Sequence, residues 1–277
     1  MKGRGVALSP QNHRQQRPFF TVIVVSLNPG KFLFRTVESV RRQTFSNWEI
    51  LIKDGGSRDR SLDSLPEDPR IRIIRQPDTG IFDAMNQAVM ESSGQFIHFL
   101  NCGDTFYAPT VLEKAAQSIR NAPGVRIFFG DVHKPHSRSG YILYPRRLSR
   151  YFLFTHTVCQ QAWFVERELL AANPFHTESA IGGDDIWFKR MVAGAKEAAV
   201  KIPALVITYQ GGGVSEDPAR QAESRPFREA ARREVFSAWE RGIYSFVFRL
   251  RTLLKTVFYD PFLWKWFRAY REWKRTN

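Results

Sequence analysis

A doubly wound α/β sheet, mostly parallel and flanked by helices, follows from three features of the sequence. Strand-length apolar runs alternate with stretches of helical spacing from Phe19 to Val132. The first run, FFTVIVVSL over residues 19–27, is continuously apolar, as expected of a strand covered on both faces of a parallel sheet. A strand–turn–helix–strand unit ending at Asp104 forms the centre and delivers a carboxylate beyond a strand's carboxyl end, where open α/β sheets bind ligands.

The elements follow in order. After the first strand comes Asn28-Pro29-Gly30, then a helix over 31–43 with Leu33, Val37 and Val40 on one face. Residues 48–53 (WEILIK) form the second strand and run into Asp54-Gly55-Gly56-Ser57. Residues 71–75 form a third, closed by the turn Pro77-Asp78-Thr79-Gly80. From Ile81 the apolar residues Met85, Ala88 and Val89 keep helical spacing, with Asp83, Asn86 and Gln87 on the other side and Gly94 as the stop. Residues 95–100 form the next strand, 110–121 a helix and 125–132 a strand. The basic stretch 133–157 reads as an irregular insertion or substrate loop. A strand over 159–165, a short helix over 166–172 and a helix over 186–192 opened by Gly182-Gly183-Asp184-Asp185 follow. Residues 199–209 supply one or two short strands, and QGGGVS over 210–215 suits a mobile lid.

Composition narrows the function. The formal charge is +14, which implies an acidic partner: nucleic acid, an anionic membrane or a phosphorylated substrate. The excess lies at the ends. Residues 225–277 hold thirteen Lys and Arg against five Asp and Glu, and residues 1–18 hold four basic side chains and no acid. Two cysteines, Cys102 and Cys159, make no disulfide framework and suit a reducing cytosol. No signal peptide and no apolar run of about 18 residues is evident. The glycines match neither G-x-G-x-x-G nor a P-loop, which disfavours a nicotinamide enzyme or an ordinary NTPase.

Taken singly, the candidate residues have plain structural readings. Asp83 would complement a helix N-terminus and Asp104 would cap the next element. Gly-Gly-Ser after Asp54 is also an ordinary turn, and two carboxylates opening a helix are favoured by its dipole.

Taken together, VIVVSLNPGK, IKDGGSRD, PDTGIFDAMNQA, FLNCGD, FFGDV, CQQAWFVER, IGGDDIWFKR and TYQGGGVS make a more specific pattern across about residues 20–216. The chain resembles a family-2 glycosyltransferase with the GT-A fold, of the bacterial cell-surface polysaccharide (colanic-acid-like) type. The resemblance implies transfer of a sugar from a nucleotide-sugar, a UDP-sugar being favoured, to an acceptor hydroxyl with inversion. It places Ser26 and Asn28 where the first strand meets the nucleotide, Asp54 at the base, and Asp83 and Asn86 on the nucleotide and phosphate side. Asn101 to Asp104 stand where the family carries its acidic metal motif, commonly Asp-x-Asp-Asp or Asn-Ser-Asp-Asp, which leaves Asp104 as the sole carboxylate for Mg2+ or Mn2+. Asp184 falls at the general base, with Asp185 as a twin where an aromatic residue is usual, and Gln160 replaces a common histidine. The chemistry is coherent: a diphosphate leaving group needs its charge offset, and an attacking hydroxyl needs a carboxylate to take its proton.

Residues 225–277 lie outside the resemblance. Phe246, Leu250, Leu253 and Val257 fall on one helical face and Ser245, Arg249, Thr252 and Thr256 on the other. Beyond the break at Asp260-Pro261, Leu263, Trp264, Trp266, Phe267, Tyr270 and Trp273 alternate with Lys and Arg. Basic helices of this kind read as membrane-surface anchors, or as faces that pack on the domain or a second subunit. The expected organisation is a basic tail over 1–18, a catalytic domain over 19–224 and amphipathic helices over 225–277. The expected setting is the cytoplasmic face of the membrane, with a glycan or lipid-linked acceptor and no nucleic acid partner. Two other readings compete. A non-catalytic nucleotide- or nucleic-acid-binding protein draws on the depleted acidic motif. A sugar nucleotidyltransferase would need a denser glycine-rich, basic loop than VSLNPGK.

Overall fold

The computed structural model describes residues 17–178, 181–194, 197–213 and 216–257. The N-terminal basic tail before Arg17, the Asp260-Pro261 break and the aromatic segment beyond it lie outside the described residues.

β1 (Phe20–Ser26) and β2 (Trp48–Asp54) are buried along almost their whole length, as their continuous apolar character requires. α1 (Phe32–Arg41) between them buries Leu33, Thr36, Val37 and Val40. β3 (Ile71–Arg75) is more exposed, as an edge strand is. α2 (Ile81–Glu91) buries Phe82, Ala84, Met85, Ala88 and Val89. β4 (Phe96–Phe99), a short β5 (Thr105–Phe106), α3 (Val111–Arg120) and β6 (Ile127–His133) follow.

Among the described residues nine strands form one sheet, in the order β3-β2-β1-β4-β8-β6-β9-β5 with β7 paired to β6. β7 is Tyr141–Ile142, β8 is Trp163–Glu166 and β9 is Ala199–Thr208. The half built from β3, β2, β1 and β4 is parallel throughout, whereas β8 runs antiparallel to both its neighbours. Register sets the ligand edge. Ser26 stands opposite Asp54, and Asp54 opposite Arg75, so the carboxyl ends of three strands are level. The core between sheet and helices is rich in phenylalanine. Phe20 meets Phe45 edge-on, Phe96 meets Phe128 in the same way, and Phe20 tilts against Phe164.

Four expectations change in detail. Residues 133–157 are not wholly irregular: they contain β7 and α4 (Arg150–Thr155), whose start is capped by the Ser149 hydroxyl. The strand expected over 159–165 begins only at Trp163, because Gln160–Ala162 close a 3-10 turn. The helix after α5 (Arg167–Ala172) is α6 (Gly183–Phe188), which widens into a π turn over Lys189–Ala193. The boundary at 224/225 falls inside α7 (Pro218–Val235), an 18-residue helix started by the Asp217 cap and Pro218 and followed by α8 (Ala238–Val257).

Candidate active site

The first group of expected site residues builds the loops at the ends of β1 and β2. The Asp54 carboxylate is fully buried and accepts from the amides of Gly56 (3.1 Å) and Ser57 (2.9 Å) and from the Ser57 hydroxyl. Asn28, at φ +49, accepts from the Arg58 amide (2.8 Å), and its own amide donates to Ser57 Oγ. Asp59 ties in the Gly30 amide at 2.7 Å. The turn over residues 55–57 thus closes on the Asp54 carboxylate, and Asp54 is not among the side chains lining the main cavity. Beneath these loops Lys53 is fully buried, with Nζ 2.9 Å from Asp78 and 2.5 Å from the Gln76 carbonyl.

Asp83 and Asn86 do not line the main cavity. Asp83 accepts from the Thr79 amide (2.8 Å) and hydroxyl and from Gln87, and these bonds, led by that amide, hold its carboxyl below the ordinary range. Asn86 clamps the backbone of Phe175, donating to its carbonyl and accepting from its amide, both at 2.9 Å. Both polar groups of the Asn86 amide are thus engaged in joining α2 to the 173–178 segment.

The second group converges. A cavity of about 570 Å³ is lined by Asn101, Asp104, Asp184, Asp185, Lys134, Glu216 and Arg228, among others. Ser26 sits beside it in β1, one residue past the lining Val25. Asp104 is 4% exposed. Its Oδ1 accepts from the Gln210 amide at 2.7 Å, and its backbone carbonyl accepts from Thr36 Oγ1. Burial pushes its carboxyl up to about 7, against the stabilising Gln210 amide and the field of Arg35.

Asp184 and Asp185 part company here. Asp185 is buried and ion-paired with Lys189 one turn on, itself buried. Asp184 has no such lysine. Burial, then the neighbouring Asp185 charge, push its carboxyl up to about 6, while Arg228 draws it down. The backbone here is tightly fitted: Gly182 has φ +84, and a Cβ on it would come within 2.7 Å of Arg228 Nε. The Arg228 guanidinium of α7 is thus packed against the turn that opens α6, and its charge acts on Asp184.

Three lining side chains had no part in the sequence reading of the site. Lys134 pairs with Glu216 at 2.9 Å across the glycine-rich loop, and Glu216 also accepts from the Gly212 amide. The third is Arg228, from the stretch 225–277 that lies outside the family resemblance. The cysteines are not poised as nucleophiles, since burial pushes both Cys102 and Cys159 up to about 12.

A site for a divalent cation can be tested against the side chains present. Among the described residues no group of three or more His, Cys, Asp or Glu converges. Asp104 stands as one carboxylate facing a cavity, which fits an ion that draws its remaining ligands from phosphate and water.

The chain is similar to known glycosyltransferases in sequence and in fold. The family described as Glycosyl transferase family 2 matches residues 21–172. A PGL/p-HBAD biosynthesis glycosyltransferase of Mycobacterium bovis is 33% identical over 161 residues, covering 55% of this chain and 60% of that protein. The chain thus matches well under two thirds of the length of that relative. Among solved structures, TarS 1-349 of S. aureus in complex with UDP-GlcNAc superposes with a TM-score of 0.57 at 18% identity, over 70% of this chain and 59% of that one. The mannosyltransferase PcManGT of Pyrobaculum calidifontis, in complex with GDP-Man and Mn2+, gives 0.56 at 18% identity, over 97% and 88%. These two likenesses bear on the fold.

Proposed function

Because the chain belongs to glycosyl transferase family 2, we propose that it moves a sugar from a nucleotide-sugar to an acceptor hydroxyl with inversion at the anomeric carbon. One observation carries this reading: two carboxylates from distant parts of the chain, Asp104 and Asp184, line a single cavity, where burial raises both above the ordinary carboxylate range.

Their environments divide the work. Asp184, half-buried and without a lysine partner, takes the acceptor's proton as the hydroxyl attacks. Asp185 is the positioning partner, held by Lys189. Asp104 would hold a Mg2+ or Mn2+ ion, which when bound offsets the charge growing on the diphosphate leaving group. Gln210 fixes the Asp104 side chain through its amide, and Asn101 borders the same wall. The loops carrying Asn28 and Asp54 lie beside the nucleotide side and set its shape through Ser57.

A UDP-sugar is the favoured donor, because the family resemblance points to uracil at Asp54. The acceptor is assigned to the lipid-linked glycans of a bacterial surface, of which the colanic-acid-like type is one. A protein attached to the inner face of the membrane suits that substrate. No helix among the described residues is long and apolar enough to cross a membrane, and α8 exposes Phe246, Leu250 and Leu253.

The test is a donor panel on the purified full chain: UDP-, GDP- and dTDP-sugars, with Mg2+, Mn2+ or EDTA, following binding and nucleotide release. Selective binding or slow hydrolysis of one donor is expected. A folded protein that binds none of them, with or without membrane vesicles, overturns the reading.

A further inference from the structure

Outside the catalytic cavity, α4, α7 and α8 meet around a second cleft of about 600 Å³. Its walls carry four arginines, Arg232, Arg233, Arg241 and Arg249, against one carboxylate, Glu229. Two of the four are held in place. Arg232 pairs with Glu229 at 3.1 Å and lies over the Phe154 ring, while its Nε is buried with no partner among the described residues. Arg241 donates to the Phe236 carbonyl at 2.6 Å. The other two, Arg233 and Arg249, are exposed and make no ion pair among the described residues. Four cations around one carboxylate repel one another until an anion joins them. Guanidinium forks match the oxygens of a phosphate.

The neighbouring face of α8 adds a second observation. Trp239, Ile243, Phe246, Leu250, Leu253 and Leu254 fall within one arc of roughly 100°, and every one is exposed, Trp239 by 73%. At about 100° per residue, Arg249 borders that arc on the side where Arg241 and Ser245 face the cleft. An apolar stripe edged by arginine suits the boundary between acyl chains and anionic headgroups.

We propose that this cleft seats the phosphate of an anionic lipid headgroup while the apolar stripe of α8 lies in the interfacial layer. The proposal rests on the membrane attachment put forward above and adds to it a discrete phosphate site. Arg233 and Arg249 close on the phosphate, and Arg232 and Arg241 supply the fixed wall behind it.

The experiment is co-sedimentation of the full chain with vesicles of phosphatidylcholine alone or mixed with phosphatidylglycerol. The double variant Arg233→Gln/Arg249→Gln is set against Arg220→Gln/Arg225→Gln, which removes the same charge from α7 outside the cleft. Thermal melts confirm that both remain folded. The cleft pair is expected to weaken binding to the anionic vesicles at least about tenfold more than the control pair, because it removes charged hydrogen bonds as well as general attraction. Equal losses would overturn the discrete site and leave membrane attachment standing. Failure of the unaltered chain to bind anionic vesicles would overturn both. Inorganic phosphate should release the chain from the vesicles beyond a chloride control of equal ionic strength; phosphate binding at the cleft that leaves vesicle binding unchanged would assign the cleft to free phosphate instead. Concentration-dependent self-association abolished by Leu253→Gln would make the stripe an interface between copies, and would also overturn the proposal.

Discussion

The backbone amide of Gln210 donates to Oδ1 of Asp104 at 2.7 Å, joining residues 106 positions apart. The contact orients the lone carboxylate of the Asn101–Asp104 loop from the adjacent strand, where β9, paired with β5, gives way to the glycine-rich loop. Asp104→Asn should preserve it, because an amide oxygen can accept the same N–H. The fold should survive, while Mn2+-dependent strengthening of donor binding falls at least about tenfold with the loss of the anionic ligand. Calorimetric titration of the donor with and without Mn2+ checks this; an unchanged metal effect would remove Asp104 from the cation site.

Asp184→Asn should reduce turnover by about 10²- to 10⁴-fold, the usual contribution of a positioned base, with donor affinity unchanged. The pH profile carries a second signature. Asp184 works as a base only when ionised, so with donor and Mn2+ saturating the rate should fall tenfold per unit below about 6 and level off above it. The groups facing it are Asp185 on its own helix, which raises that value, and Arg228 from α7, which lowers it. Stability should move the other way. At pH 7 the folded chain holds a carboxylate charged against its environment, so the Asn variant should melt higher, by on the order of 1 kcal/mol once water at the cavity mouth is allowed for.

Asp185→Asn should behave differently from its neighbour. It leaves the buried Lys189 ammonium without a counter-charge, which costs about 3 kcal/mol or more. Adding Lys189→Met should recover most of that loss. Urea unfolding of the single and double variants separates the two carboxylates by a readout independent of activity.

Gly94→Ala should destabilise by about 2 kcal/mol or more. A Cβ there would sit 2.4 Å from the Thr21 amide nitrogen, which is backbone in a central strand and cannot swing aside. Thr21 is further fixed because Oγ1 donates to Glu49 at 2.6 Å and accepts from the Gly94 amide at 2.8 Å. A lowered urea midpoint with unchanged slope is the expected result.

His98 should make the fold acid-sensitive. Its ring stacks between Phe106 and Phe164, and Nδ1 lies 2.8 Å from the Trp163 carbonyl. Burial pushes it down to about 4 from 6.5, so between those values the unfolded chain binds a proton that the folded chain refuses. The contribution is complete above pH 6.5 and is lost as pH falls toward 4, amounting to about 3 kcal/mol. His98→Phe should flatten the stability curve in that window by about one proton, measured by unfolding at several pH values.

Much of this was legible in the chain, because strands buried on both faces announce themselves as apolar runs and α1 to α3 keep strict helical spacing. The antiparallel insertion of β8 was not, since nothing local in Trp163–Glu166 encodes strand direction. At the site, Asp104 is singled out by its place after a strand and Asp184 by the family resemblance, and the fold brings both to one cavity. Asn86 was read as a ligand contact because its partner, Phe175, lies 89 residues away. The Lys134–Glu216 pair spans 82 residues and has no sequence signature. Arg228 was missed for a different reason: the basic composition of its stretch disguised one residue that faces the cavity.

One helix serves both clefts. Arg228 lines the first and Arg232 and Arg233 the second, four and five residues further along α7. An unbroken helix turns that spacing into roughly 6 to 7.5 Å of rise. It works as a rigid ruler, so a membrane surface held at the arginine end would stand at a set height from Asp184 rather than a range of heights. Lengthening α7 by a turn between these positions would therefore change how far the catalytic cavity stands from the membrane surface, without touching any group that performs the chemistry.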